Sequence, residues 1–217
     1  MAKKFIITIA RQYGSGGREI GEKVAAELGI PLYDKELITD AASKGSLDSD
    51  VIKNIDESAA NSLLYTLAMG SNVLGGAMHF GYKMPLNDKL FILQSETIKE
   101  YAKAGNCVII GRCADYVLRD EKNVFRIFVY GDLDHRQARV LERHPEIKPT
   151  QVVDVINKTD KRRATYYNFY TGNKWGKFDN YDMLINSSTL GLEGSVQLIC
   201  ASIRKLIEES SFFVPRG

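Results

Sequence analysis

Gly14, Ser15, Gly16 and Gly17 follow a short apolar run and lead directly into Arg18. Glycines spaced this closely let backbone N–H groups converge on an anion, because bulky side chains would block the approach and some of these positions need positive φ. The helix start that follows such a turn adds positive potential at the same place. The chemistry indicated is phosphate binding. The pattern G-x-x-x-x-G-K-[ST] is met only in part: aligned on Gly16, Arg11 stands at the first glycine position, Gly17 at the lysine position and Arg18 at the hydroxyl position. Arg18 then offers a guanidinium to terminal phosphates. The plainer alternative is a glycine turn that only links a strand to a helix. Gly14-Ser15-Gly16 also begins like G-x-G-x-x-G, with Asp34 about 20 residues on, but Glu19 stands at the third glycine position.

A second group of candidates is cationic. Arg136, Arg139 and Arg143 are spaced three and four apart and so share one helical face. Phosphoryl transfer needs cations on the equatorial oxygens, and arginines on a lid deliver them while closing water out. The competing reading is an exposed helix face with Glu142 and Glu146 as partners. Arg112 follows a buried strand, where open α/β sheets bind ligands, and is a candidate clamp for an acceptor phosphate. Asp115, three residues on, is a substrate contact or simply a favourable charge in a first helical turn. Asp34 contacts the acceptor or its ribose, or caps the next helix. Asp160 and Arg163 read the acceptor base and phosphate, or form an ordinary helical ion pair. His79, His135 and His144 have no metal-ligand spacing, and no metal ligand is assigned. The aromatics from Tyr166 to Tyr181 read as packing, and Cys107 and Cys113 as small buried hydrophobes.

These residues need a scaffold. Phe5–Ala10 is a continuous β-branched apolar run, the signature of a strand buried on both faces of a parallel sheet. Ile20, Val24 and Leu28 at i, i+4, i+8 predict a helix from Arg18 that stops at Gly29. Further strands are predicted at Ile30–Tyr33, Cys107–Ile110, Val124–Tyr130 and Met183–Asn186. Helices are predicted at Asp88–Ala104 with Gly105 as C-cap, from Asp132 to Arg143, over Thr150–Tyr170 and over Glu193–Glu209. Alternating strands and helices imply an α/β, three-layer, five-stranded parallel sheet. Residues 46–84 lack strand alternation and read as a helical insert.

The 217 residues, 44% hydrophobic, suit one domain over 1–213 with the 46–84 insert and a lid at 143–165. Val214-Pro215-Arg216-Gly217 resembles the remnant of an engineered protease site. A net charge of +2 gives no global basic field, which argues against a dedicated nucleic-acid binder. Three cysteines without a C-x-x-C pair fit a reducing compartment, and no apolar run has the length of a membrane span, so the cytoplasm is expected.

The run Ile9-Ala10-Arg11-Gln12-Tyr13-Gly14-Ser15-Gly16-Gly17-Arg18-Glu19-Ile20-Gly21, followed by Gly29-Ile30-Pro31-Leu32-Tyr33-Asp34-Lys35-Glu36-Leu37-Ile38, resembles the start of the cytidylate kinase-like family. Ile110-Gly111-Arg112-Cys113-Ala114-Asp115 is similar to its Gly-Arg motif, and Asp160–Asn168 and Tyr181–Ser188 to its lid and final strand. The resemblance implies a P-loop kinase fold and phosphoryl transfer from ATP to a nucleoside monophosphate, CMP or dCMP first, with Mg2+ carried mainly on the nucleotide phosphates. On it, Gly14 to Arg18 hold ATP. Arg18, Arg136, Arg139 and Arg163 are catalytic, and Asp34, Arg112, Asp115, Asp160 and Arg163 hold the acceptor. The family's cytidylate kinases carry lysine and a hydroxyl where this chain has Gly17 and Arg18, and arginine where it has Asn157. A nucleotide-binding regulatory protein without transfer activity and a dinucleotide-binding oxidoreductase are the alternatives.

Overall fold

A computed structural model describes residues 4–34, 40 and 86–209. Two compact units divide the chain, residues 1–34 with 98–217, and residues 35–97. In the second unit the described residues are Asp40 and the first part of a helix that begins at Leu86, where the Ser95 and Thr97 hydroxyls return to the Phe91 and Leu93 carbonyls. The insert expected at 46–84 lies outside the described residues.

In the first unit five parallel strands form one sheet in the order β2-β3-β1-β4-β5. They are β1 (Ile6–Arg11), β2 (Leu32–Tyr33), β3 (Cys107–Ile110), β4 (Val124–Tyr130) and β5 (Met183–Asn186). The described helices are α1 (Gly17–Leu28), α2 (Leu86–Ala104), α3 (Ala114–Val117), α4 (Leu133–Arg143), α5 (Val152–Thr171) and α6 (Ser187–Glu209). Because β1 is central, both its faces must be apolar, and the unbroken run Ile6-Ile7-Thr8-Ile9-Ala10 supplies them. Ile7, Ile9, Val108, Ile110, Ile127 and Val129 share a buried core with Ile20 and Val24 of α1 and Val196, Ile199 and Ile203 of α6. The opposite face carries Phe128 against Tyr181 and Trp175.

Helix ends follow the glycines. Gly29 is left-handed (φ 65°), and Ile30 N–H returns to Ala25 O, which ends α1 where the sequence placed its stop. Gly105 does not take this conformation, since it has no positive φ. The last helix starts six residues before the expected Glu193, as one turn from Ser187 that breaks at Gly191 (φ 66°, ψ 178°), a combination open essentially to glycine alone. Among the described residues no helix is long and apolar enough to cross a membrane.

Candidate active site

The C-terminal end of β1 opens into the turn Gln12 to Gly16, with Gly14 at φ 79° and Gly16 at φ 77°. Neither position has room for a side chain. A Cβ on Gly14 would lie 2.7 Å from the Arg136 carbonyl, and one on Gly16 2.5 Å from Leu192 Cδ2 and 3.2 Å from Arg139 Nε. The first helical bond runs from Ile20 N–H to Gly16 O, so the N–H groups of Gly17, Arg18 and Glu19 have no acceptor within the helix, and no side chain caps them. Buried Ser15 turns its hydroxyl inward to Gln12 O (2.9 Å), while the Ser187 hydroxyl holds Ser15 O at 2.7 Å. The turn is thus braced from below and open at the helix start.

Long-range polar contacts fix the turn from the side. Asp160 on α5 accepts the Tyr13 N–H through Oδ1 (2.7 Å) and binds Arg136 Nη1 through Oδ2 (2.7 Å). The same Arg136 nitrogen donates to Tyr13 O at 3.2 Å. Arg163, one turn along α5, donates to Arg11 O at 3.0 Å and lies over the Tyr13 ring. Burial is the main reason its pKa is lowered. Glu19 binds both Arg139, at 2.7 Å, and Arg143. Those contacts hold its carboxyl below the usual range against the opposing effect of burial. Arg136, Arg139, Arg143 and Arg163, the arginines expected of the lid, thus all contact the turn, its helix or the end of β1 in this structure.

A second cationic group lies toward β3. Arg18 pairs through Nε with Asp34 Oδ2 and with Glu22 Oε1, each at 3.1 Å, and its side chain is 47% exposed. Arg11, which sequence reasoning treated only as a misfit at a glycine position, reaches the same Asp34 at 3.9 Å. Its pKa falls to about 9, chiefly through burial and then through Arg163, with Arg112 and Arg18 adding to the effect. Gly111, Arg112 and Cys113 are three successive left-handed residues (φ 69°, 55° and 56°). Such a turn at non-glycine residues costs about 1–3 kcal/mol each and is held only where the surroundings demand it.

Asp115 stands in the first turn of α3, one of the two places expected of it, and is buried there. It is 5% exposed, accepts the Tyr167 hydroxyl at 2.7 Å, and burial raises its pKa to about 6. Beside it Arg126, buried inside β4 and unremarked in the sequence, donates to the carbonyls of Asp115 and Arg119 (both 3.3 Å) and pairs with Asp182 at 3.5 Å. This polar cluster ties α3, β4 and α5 together from within the protein. The turn and its flanks therefore gather Arg11, Arg18, Arg136, Arg139 and Arg163 with Asp34 and Asp160, Arg112 is near enough for its charge to act on Arg11 and Arg163, and Asp115 is buried against Tyr167. Asp160 makes its close pair with Arg136, at 2.7 Å, while its charge also acts on Arg163 one turn along the helix, as the spacing suggested.

The sheet order also decides one alternative. Dinucleotide-binding sheets place β2 beside β1, whereas here β3 separates them, so the oxidoreductase reading is withdrawn.

Residues 6–189 match the family model described as the cytidylate kinase-like family. A search of curated proteins gives no match. Among solved structures the chain is similar to an uncharacterized protein from Eubacterium ventriosum, 27% identical over 93% of this chain and 99% of that one, with a TM-score of 0.68. It is also similar to a gluconokinase from Sinorhizobium meliloti (13% identical, 96% and 97% covered, TM-score 0.55). A shikimate kinase from Bacteroides thetaiotaomicron is a third (15%, 93% and 99%, TM-score 0.54). At that identity the two kinases show the fold alone, and it is the P-loop kinase fold.

Proposed function

Because the chain belongs to the cytidylate kinase-like family, we propose that it transfers the terminal phosphoryl group of ATP to a nucleoside monophosphate, with CMP and dCMP the first candidates. The observation that carries this reading is the open helix start at Gly14 to Arg18 with guanidiniums on both sides of it. The N–H groups of Gly17, Arg18 and Glu19 hold donor phosphates. Arg139, whose Nε lies 3.2 Å from where a Gly16 Cβ would be, faces the charge that spreads over the equatorial oxygens during transfer. Arg136 and Asp160 hold the turn in register, and Arg163 steadies the end of β1. Arg112 and Asp34 form the acceptor side, and Arg18, paired with Asp34, stands between it and the donor phosphates. Position 18, where the pattern places a hydroxyl for magnesium, is a guanidinium. The residues present therefore do not fit a metal held directly by the turn, and Mg2+ belongs on the nucleotide phosphates. Three free, buried thiols suit the cytoplasm.

A single-turnover assay with ATP, Mg2+ and a panel of nucleoside monophosphates tests the proposal. Transfer to CMP or dCMP ahead of the others is the expected result. Absence of transfer to every monophosphate, with ATP still bound, favours the second reading, a nucleotide-binding regulatory protein. That reading draws on the absent lysine and hydroxyl.

A further inference from the structure

We propose that Arg11 is the phosphate-binding cation of this site, reaching from the end of β1 into the place a lysine at position 17 would serve, so that residues 11 and 17 have exchanged roles. The inference deepens the kinase reading and rests on it for the identity of the ligand, the terminal phosphates of a nucleoside triphosphate.

Two misfits in the glycine pattern carry the argument, because they are reciprocal. Glycine is expected at position 11 and lysine at 17, and the chain has arginine and glycine. In space the two positions touch. A Cβ on Gly17 would lie 2.5 Å from Arg11 Cβ, 3.1 Å from Arg11 Cγ and 3.2 Å from Val129 Cβ. Any side chain at 17 therefore collides with the stem of Arg11. The other end of Arg11 is threaded past a second glycine: a Cβ on Gly111, itself at φ 69°, would lie 2.0 Å from Arg11 Nη1 and 3.2 Å from Cζ. Two glycines thus leave a passage that delivers one guanidinium between the first turn of α1 and the left-handed turn that carries Arg112.

The guanidinium is available when it gets there. Asp34 is its one ion-pair partner among the described residues, at 3.9 Å, and that carboxylate has a nearer cation in Arg18 at 3.1 Å. An arginine whose purpose was the Asp34 pair would make a close forked contact instead. The side chain keeps about a fifth of its surface exposed (21%), enough for an anion to reach it. Arg163 fixes the backbone behind it through Arg11 O. Burial and the neighbouring arginines penalise the charge, which the lowered pKa of about 9 records, and an arriving phosphate removes that penalty. Arginine at a fixed strand end can also grip two phosphate oxygens at once, which lysine cannot.

The exchange can be reversed in the laboratory. Only glycine at 11 removes the Cβ that blocks residue 17, so the variants are Arg11→Gly, Gly17→Lys and the double Arg11→Gly/Gly17→Lys, with Arg11→Met as a charge-free variant that keeps the stem. Calorimetric titration with inorganic tripolyphosphate and with ATP, alongside thermal unfolding, supplies the readouts. Arg11→Gly and Arg11→Met are expected to lose about tenfold or more in affinity for both probes, the worth of one charge-assisted contact. Gly17→Lys alone is expected to lower the unfolding midpoint, and the double variant to recover both that midpoint and most of the lost affinity. Wild-type affinity in Arg11→Met, or a double variant that binds no tighter than Arg11→Gly, overturns the inference. Arg11-dependent tripolyphosphate binding without transfer to any monophosphate sinks the kinase reading and leaves this one standing. A wild-type protein that binds neither probe at millimolar concentration sinks both.

Discussion

Replacing Asp160 separates two roles, the support of the turn that the structure places on it and the contact with substrate that the sequence suggested. Its carboxylate holds the Tyr13 N–H and Arg136 Nη1, both at 2.7 Å, with the two side chains only 16% and 10% exposed. Arg136 Nε is buried and already without a partner among the described residues, so little remains to compensate the guanidinium once Asp160 is gone. Breaking a buried pair by removing one partner costs about 3–5 kcal/mol, and this pair is not wholly dry, so Asp160→Ala should destabilise by about 3 kcal/mol. At about 2–4 °C per kcal/mol for a chain of this length, the midpoint should fall by about 6–12 °C. Asp160→Asn keeps an oxygen for the Tyr13 N–H but turns an amide N–H2 toward Arg136 Nη1 in place of an acceptor, so it should cost nearly as much as Asp160→Ala. Urea unfolding at constant m-value measures both. A loss below about 1 kcal/mol for Asp160→Ala, with a raised KM for the monophosphate, would refute the supporting role and make Asp160 a substrate contact.

Asp115 gives a pH signature. Its pKa rises from 3.8 unfolded to about 6 in the buried site, so the folded protein holds the proton more tightly between those values. Stability from this group is therefore fully present below about pH 4 and lost as the pH climbs to about 6. Asp115→Asn should flatten that stretch of the unfolding profile by up to about 3 kcal/mol. Arg18→Ala should lower ATP affinity and turnover together by about tenfold, because Arg18 shares the cationic cluster with Arg11. Arg139→Ala should mainly lower turnover, by about ten- to a thousandfold, and steady-state kinetics beside equilibrium ATP binding separates the two patterns.

What the sequence made legible was what local chemistry decides. Cys107–Ile110 and Val124–Tyr130 stand where their apolar runs predicted strands, since a strand covered on both faces is almost wholly apolar, and Met183–Asn186, an edge strand with Leu184 exposed, also stands where its short apolar run placed it. Ile30–Tyr33 shortened to Leu32–Tyr33, because Ile30 N–H is spent on the cap of α1 and Pro31 has no N–H to give a ladder. The glycine turn was legible too, since glycine is itself the signal. Its partners were not. Asp160 meets Tyr13 across 147 residues and Arg163 meets Arg11 across 152, separations at which periodicity carries no information. Arg126 was hidden for another reason: one guanidinium within seven strand residues does not disturb an apolar run, and only the fold shows the carbonyls that receive it.

The misfit at Arg11 and Gly17 shows how such a site can be misread position by position. Taken singly, each departure from the glycine pattern subtracts from the case for phosphate binding, since one position has lost its glycine and the other its lysine. Taken with the 2.5 Å approach of the two positions, they are one change, because the arginine needs the glycine to pass. The consequence is a site whose charge is set by tertiary packing. A lysine on the first turn of α1 would travel with its helix, whereas Arg11, Arg139 and Arg163 come from β1, α4 and α5 and converge only when all three are docked. Asp34, Glu19 and Asp160 each hold one or more of these arginines or their neighbours in place. Loss of Glu19 or Asp160 should therefore disturb phosphate binding at a distance, through the orientation of a cation and not through contact with the ligand.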